Sequence, residues 1–195
     1  YKIKCLDPNL LIDPILPPDN IVGSVVYPAC EIVKPGTIKH IAGNRFSLGE
    51  PEGSESDRLK YISEILKRAG FRAPIQKNIR DEIWLKLIGN LSFNPISALT
   101  GATLEQICND RGTEAIVKAM MTEAKIIAEE LGAKINMSIE KRIEGARKVG
   151  AHKTSMLQDI EAGKPIEIDS IIIAVKELGE LTCSPTPYIN TCLLY

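Results

Sequence analysis

One lysine and two asparagines stand four residues apart inside an apolar run, Lys86-Leu87-Ile88-Gly89-Asn90-Leu91-Ser92-Phe93-Asn94-Pro95. On a helix four residues turn about 400°, so these side chains drift only about 40° per step and share one face over roughly 12 Å of axis. Their neighbours Ile83, Trp84, Leu87, Ile88, Leu91 and Phe93 are hydrophobic. An ammonium and two carboxamides set among them need polar partners, because burying an unpaired polar group is unfavourable. The row therefore predicts a site for something polar, such as a carbonyl or a carboxylate. A partly desolvated ammonium can stabilise charge developing on an oxygen and then donate a proton to it. Carboxamides hold geometry without adding a competing charge.

A second polar cluster runs Gly150-Ala151-His152-Lys153-Thr154-Ser155-Met156-Leu157-Gln158-Asp159, then Gly163-Lys164-Pro165-Ile166-Glu167-Ile168-Asp169. Taken singly, each residue has a structural explanation. Glu167 at a helix start is favoured by the helix dipole, and Ser155 can serve as a local N-cap or turn residue. Lys153 and Lys164 read as solvated charges or anion contacts, His152 as a hydrogen-bonded structural residue, and Trp84 as core.

These groups need elements to hold them. Ile21 to Tyr27 is β-branched and follows the turn cluster Pro17-Pro18-Asp19-Asn20. Thr37 to Ala42 after Pro35-Gly36, and Arg45 to Gly49 after Gly43-Asn44, make further strands, together expected as an antiparallel meander. From Ser56-Asp57 the apolar period becomes helical, with Gly70 as the stop. Phe71 to Ile75 reads as one more strand. Helices then follow: one from about Arg80 carrying the row, interrupted or kinked around Pro95; one over Glu114 to Leu131, ended by Gly132; one around Ile139 to Val149; and one over Glu167 to Leu181. The boundary between strand-like and helical sequence falls near Asn78-Ile79-Arg80.

Composition narrows the function classes. The 195 residues carry 44% hydrophobic and 25% charged side chains with a net charge of −1, which suits a globular protein and offers no basic stripe for nucleic acid. No apolar run approaches the length of a membrane span and no secretory h-region opens the chain, so a cytoplasmic location without membrane contact is expected. Five scattered cysteines without a Cys-x-x-Cys pair, and only two histidines, argue against a disulfide framework and a metal centre.

Taken together the segments resemble one family. Trp84-x-Lys86-x-x-x-Asn90-x-x-x-Asn94-Pro95-x-Ser97-Ala98-Leu99-Thr100, His152-x-x-Ser155-Met156-Leu157-Gln158-Asp159 and Glu167-Ile168-Asp169 are similar to the C-terminal half of the 2-dehydropantoate 2-reductases (ketopantoate reductases). Tyr27-Pro28-Ala29, Pro35-Gly36, Leu48-Gly49-Glu50-Pro51 and Thr186-Pro187 fit the same pattern. The resemblance implies a mixed α/β, mainly α chain: residues 1–79 as the last strands and one helix of a dinucleotide-binding domain, residues 80–195 as an all-helical substrate and dimerisation domain. It implies NADPH-dependent reduction of 2-dehydropantoate to pantoate, a step towards coenzyme A. By the same resemblance Lys86 is the general acid. Asn90 and Asn94 orient lysine and substrate, Ser155 meets the substrate carboxylate end, and Glu167 contacts substrate hydroxyls or the cofactor.

The chain departs from that pattern at one point. No G-x-G-x-x-G follows a strand, so the phosphate cradle of a dinucleotide domain is missing. Residues 1–20 also lack the family's Gln-Asn-Gly segment. The chain is therefore expected to be the C-terminal portion of a reductase, with the substrate side of the site present and the cofactor side absent. Strands of residues 21–49 without their sheet would present open edges and favour a homodimer or aggregation. Three other readings stand beside this one: a reductase of a related 2-oxo acid, a non-catalytic helical interaction domain, and a Schiff-base enzyme using Lys86.

Overall fold

The computed structural model describes residues 2–193, apart from the side chain of Asp13. The described residues form two compact units, one of residues 13–83 and the other of residues 2–12 with 84–193. Mixed α/β, mainly α, describes the whole: strands are confined to the first unit and helices dominate the second.

The strand-bearing unit opens within the short helix α1 (Ile12–Ile15) and includes a 3-10 turn at Pro18–Asn20. Strand β1 (Gly23–Val26) pairs antiparallel with β4 (Phe46–Gly49), whereas β2 (Ala29–Lys34) pairs antiparallel with β3 (Thr37–Ala42). The described strands thus form two pairs and not the expected meander, and β2 is a strand beyond those expected. Pro35-Gly36, with Gly36 at φ +75°, closes β2 onto β3 locally, which leaves β1 to find β4 across that hairpin. Phe71 to Ile75 forms bridges only: the Phe46 and Leu48 amides donate to the Arg72 and Pro74 carbonyls at 2.8 and 2.9 Å, in parallel sense.

Helix α2 (Asp57–Arg68) starts where the sequence predicts, with the Ser56 hydroxyl accepting from the Leu59 amide, and Gly70 at φ +91° follows its end. Leu59 packs with Leu48 and Ala73 in the small core of this unit. Two acidic hubs hold the loops. Buried Glu50 accepts from Ser56 and from Arg58 Nε and Nη2. Glu82 gathers Tyr27 Oη at 2.7 Å, Ser47 Oγ at 3.1 Å and the Arg45 guanidinium, which also lies 4.2 Å from the centre of the Tyr27 ring.

Helix α3 (Ile79–Thr100) begins in this unit and continues into the other as its central element. It runs through Pro95 to Thr100 without the expected interruption. Pro95 can donate no bond to the Leu91 carbonyl, yet residues 91–97 are buried throughout, and packing on all sides outweighs one missing bond. Around α3 stand α4 (Leu104–Asn109), α5 (Arg111–Glu130), α6 (Ile139–Val149), α7 (Ser155–Glu161), α8 (Ala174–Leu181) and α9 (Pro187–Thr191). Leu91, Ile107, Met120, Met121, Ile127, Ile172, Val175 and Ile189 are fully enclosed among them.

The α5 and α6 helices match their apolar periods, and Gly132 at φ +84° follows α5. Short α4, α7 and α9 escaped the periodicity argument because one or two turns carry too few apolar repeats. The fourth expected helix also differs: Asp169–Ile173 is a π-helical turn that leads into α8. At the other end, the carboxylate of buried Glu123 accepts the Tyr188 and Ile189 amides at 2.9 and 3.0 Å, fixing the start of α9.

Candidate functional site

Lys86, Asn90, Asn94, Ser155 and Glu167 all line one cleft of about 660 Å³ in the helical unit. The first three come from successive turns of α3, as their spacing requires. Lys86 and Asn90 are half-buried and Asn94 is buried.

Local hydrogen bonding brings Ser155 to the same place. Thr103 caps α4 in a reciprocal box with Gln106. The Leu104 amide donates to the His152 carbonyl at 2.9 Å and the Glu105 amide to the Gly150 carbonyl at 3.2 Å. The loop ahead of α7 is thereby docked on the start of α4. Thr154, buried, is the N-cap of α7 and its hydroxyl accepts from the Leu157 amide. The capping role considered for Ser155 thus belongs to its neighbour, and Ser155 stands exposed as the first helical residue, lining the cleft. Lys153 pairs with Glu161 at 2.6 Å. His152 borders the cleft.

Glu167 lies just before the helical stretch, where its carbonyl accepts the Ile171 amide at 3.2 Å. Its carboxylate acts electrostatically on Lys86. Burial pushes the Lys86 pKa below the usual lysine value, and the negative charge of Glu167 opposes that shift. The pair describes an ammonium that is easier to deprotonate than a surface lysine yet retains a counter-charge.

Helix α6 lines the cleft with Lys141, Arg142, Gly145, Ala146 and Val149, none of which the sequence singles out. Their pattern is that of any charged outer helix face. The one available signal lies elsewhere: Gly89 in the middle of a long helix, where a glycine lacks a local reason. Among the described residues no group of histidine, cysteine or acidic side chains is arranged to hold a metal ion. No described helix is long and apolar enough to cross a membrane.

Among the described residues no glycine-rich cradle for a dinucleotide's phosphates is present. No two glycines of the chain are separated by a single residue, and the β1–β4 turns offer no strand-to-helix glycine cradle for phosphates. Gly43, the nearest candidate in sequence, has its Cβ direction blocked by the Tyr27 carbonyl at 2.9 Å.

Lys86, Asn90 and Asn94 thus open one face of α3 on a cleft inside a mainly helical unit. Residues 78–193 match the family described as ketopantoate reductase PanE/ApbA C terminal, and the chain belongs to that family. It is 51% identical to a 2-dehydropantoate 2-reductase of Mesorhizobium japonicum, over 98% of this chain and 59% of that protein. A candidate ketopantoate reductase from Ralstonia solanacearum superposes with a TM-score of 0.94 at 41% identity, over 99% of this chain and 59% of the other. For a 2-dehydropantoate 2-reductase from Methylococcus capsulatus the TM-score is 0.87 at 29% identity, over 96% and 61%. The chain thus spans about three fifths of the length of these relatives.

Proposed function

We propose that this chain carries the substrate and proton-donor half of an enzyme that reduces 2-dehydropantoate to pantoate at the expense of NADPH. The convergence of Lys86, Asn90, Asn94, Ser155 and Glu167 on one cleft supports this reading above all else. The names of the Mesorhizobium and Ralstonia relatives point the same way. Residues 13–83 read, on this proposal, as the end of the dinucleotide-binding domain.

The work of the chain's own residues follows from their chemistry. Reduction builds negative charge on the carbonyl oxygen of the substrate. Lys86 stabilises that charge and gives the oxygen its proton, a task suited to an ammonium with a lowered pKa. Asn90 and Asn94, one and two turns along α3, hold the ammonium and substrate in register. Ser155 donates its hydroxyl proton to the substrate carboxylate end. Glu167 accepts from substrate hydroxyls and steadies the charge of Lys86. A second copy of the chain belongs to this reading too, since Ile32, Val33, Ile38 and Ile41 stand exposed on the β2–β3 hairpin. Light scattering that finds only monomer at high concentration removes that part.

Calorimetric titration of the purified chain with pantoate tests the core of the proposal. Binding is expected, and Lys86→Ala should weaken it at least about tenfold, the scale of a lost charged hydrogen bond. Absence of binding to the unaltered chain overturns the proposal. Preference for another 2-hydroxy acid moves it to a reductase of different specificity.

A further inference from the structure

The guanidinium of Arg142, on α6, lies across Gly89 of α3. A Cβ at position 89 would stand 2.9 Å from both Cζ and Nε of Arg142, and nearer still to Nη2. Any side chain at 89 would therefore evict the guanidinium from its seat. Gly89 is buried within α3 and its backbone is helical. A glycine in a helix interior costs about 1 kcal/mol relative to alanine, and what it provides at this position is close approach.

The location of that seat matters chemically. Gly89 follows Lys86 by three residues, about 4.5 Å of helix rise, and precedes Phe93 by four, so the three share one face of α3. Arg142, Lys86 and Gly89 all line the cleft. Lys86, Lys141 and Arg142 line the cleft with one carboxylate, that of Glu167, in a chain whose net charge is −1. The cleft is locally cationic although the chain as a whole is not, so it suits an anion. In a 2-oxo acid the carboxylate is bonded directly to the carbonyl carbon. The group that takes the carboxylate must therefore stand beside the group that protonates the carbonyl, and the guanidinium over Gly89 meets that requirement. Its planar fork also matches a carboxylate in a way that a lysine does not.

We propose that Arg142, seated on Gly89, binds the carboxylate of the 2-oxo acid whose carbonyl faces Lys86, and so selects acids over neutral ketones, esters and lactones. This rests on the reading of the cleft as a 2-oxo acid site. Ser155 then adds a neutral donor to a carboxylate whose charge Arg142 answers.

The test titrates the whole chain with pantoate and with pantoyl lactone, which lacks the carboxylate. Arg142→Gln is expected to weaken pantoate binding about 10- to 100-fold, the range for hydrogen bonds to charged groups, and to leave lactone binding unchanged. Arg142→Lys keeps the charge without the fork and should fall between the two. It also decides the matter if Arg142→Gln does not fold: a selective loss for pantoate supports the proposal and an unchanged affinity overturns it. Equal weakening of acid and lactone overturns it as well. If pantoate binds the unaltered chain in a Lys86-dependent way but ignores Arg142→Gln, this proposal fails while the substrate reading stands. If pantoate does not bind the unaltered chain, both fall.

Discussion

The same substitution at two helix glycines should change stability in opposite directions. Gly89→Ala and Gly179→Ala both add one methyl group inside a helix of the same unit, and each gains about 0.8–1.0 kcal/mol of intrinsic helix preference. What the methyl group meets differs. At 89 it meets the end of a long, flexible side chain, Arg142 Cζ and Nε at 2.9 Å, which can give way where backbone cannot. At 179 it meets the Ser184 carbonyl oxygen at 2.9 Å, Thr186 Cγ2 at 2.8 Å and Ile127 Cδ1 at 3.2 Å. Ser184 cannot retreat easily, because its own amide donates to the Gly179 carbonyl at 2.8 Å. Overpacking of that kind costs about 1–3 kcal/mol. The net expectation is a change of zero to about +1 kcal/mol for Gly89→Ala and a loss of zero to about 2 kcal/mol for Gly179→Ala. For a chain of this size each kcal/mol moves the midpoint by about 2–4 °C. Thermal unfolding followed by circular dichroism reads both variants on one transition. A loss at Gly89→Ala as large as that at Gly179→Ala would refute the reasoning, since it would mean that the guanidinium is clamped rather than seated.

Two further outcomes concern charge. Glu167→Gln should lower the Lys86 pKa further, because burial already depresses it and the Glu167 carboxylate is what opposes the shift; NMR titration of isotopically dimethylated Lys86 should show the titration moving to lower pH, and an unchanged or raised pKa would remove Glu167 as its electrostatic partner. For Glu50, the Arg58 guanidinium and Ser56 hydroxyl hold the carboxyl at about 2 against 4.5. Since the folded value is the lower one, its stabilisation is complete above pH 4.5 and disappears as pH falls from there towards 2. Glu50→Gln should lose about 1–2 kcal/mol at pH 7, discounted for the partly exposed Arg58, and flatten that acid dependence. Hydrogen exchange across residues 46–63, corrected for intrinsic rates at pH 6 and 3.5, checks this, and parallel slopes in the two proteins would contradict it.

The parts of this molecule that were legible in the sequence are those set by local periodicity. Leu59 and Leu66 announced α2, Met120, Ala124, Ile127 and Ala128 announced α5, and the Lys86–Asn90–Asn94 spacing announced a common face. Strand pairing was not legible, because a two-residue turn at Pro35-Gly36 competes with any longer-range partner and the sequence of β1 suits several registers. The continuation of α3 through Pro95 depended on tertiary packing around residues 91–97, which overrides a local preference. Arg142 was invisible because an arginine on an amphipathic helix reads as solvent-facing until the glycine opposite it is known.

Glu167 shows why a site residue can be named from sequence while its placement cannot. The carboxylate affects Lys86 only if the segment before α8 is aimed at α3. Ile171, Ile172, Val175 and Leu178 anchor that stretch in the core. Between Glu167 and α8 lies the π-helical turn Asp169–Ile173, and a π turn holds more residues than an α turn, so the residues ahead of it are displaced around the axis relative to an uninterrupted helix. The same stretch is tied from outside. The Lys4 and Cys5 amides donate to the Glu177 carboxylate at 2.6 and 3.1 Å, and the Cys5 thiol reaches the Asp169 carbonyl at 3.7 Å. Apolar anchoring on one side and the N-terminal segment on the other thus fix the widened turn, and with it the direction from which Glu167 acts on Lys86. Such a turn is stable only because tertiary contacts hold it, which is why an apolar period alone reads it as an ordinary helix.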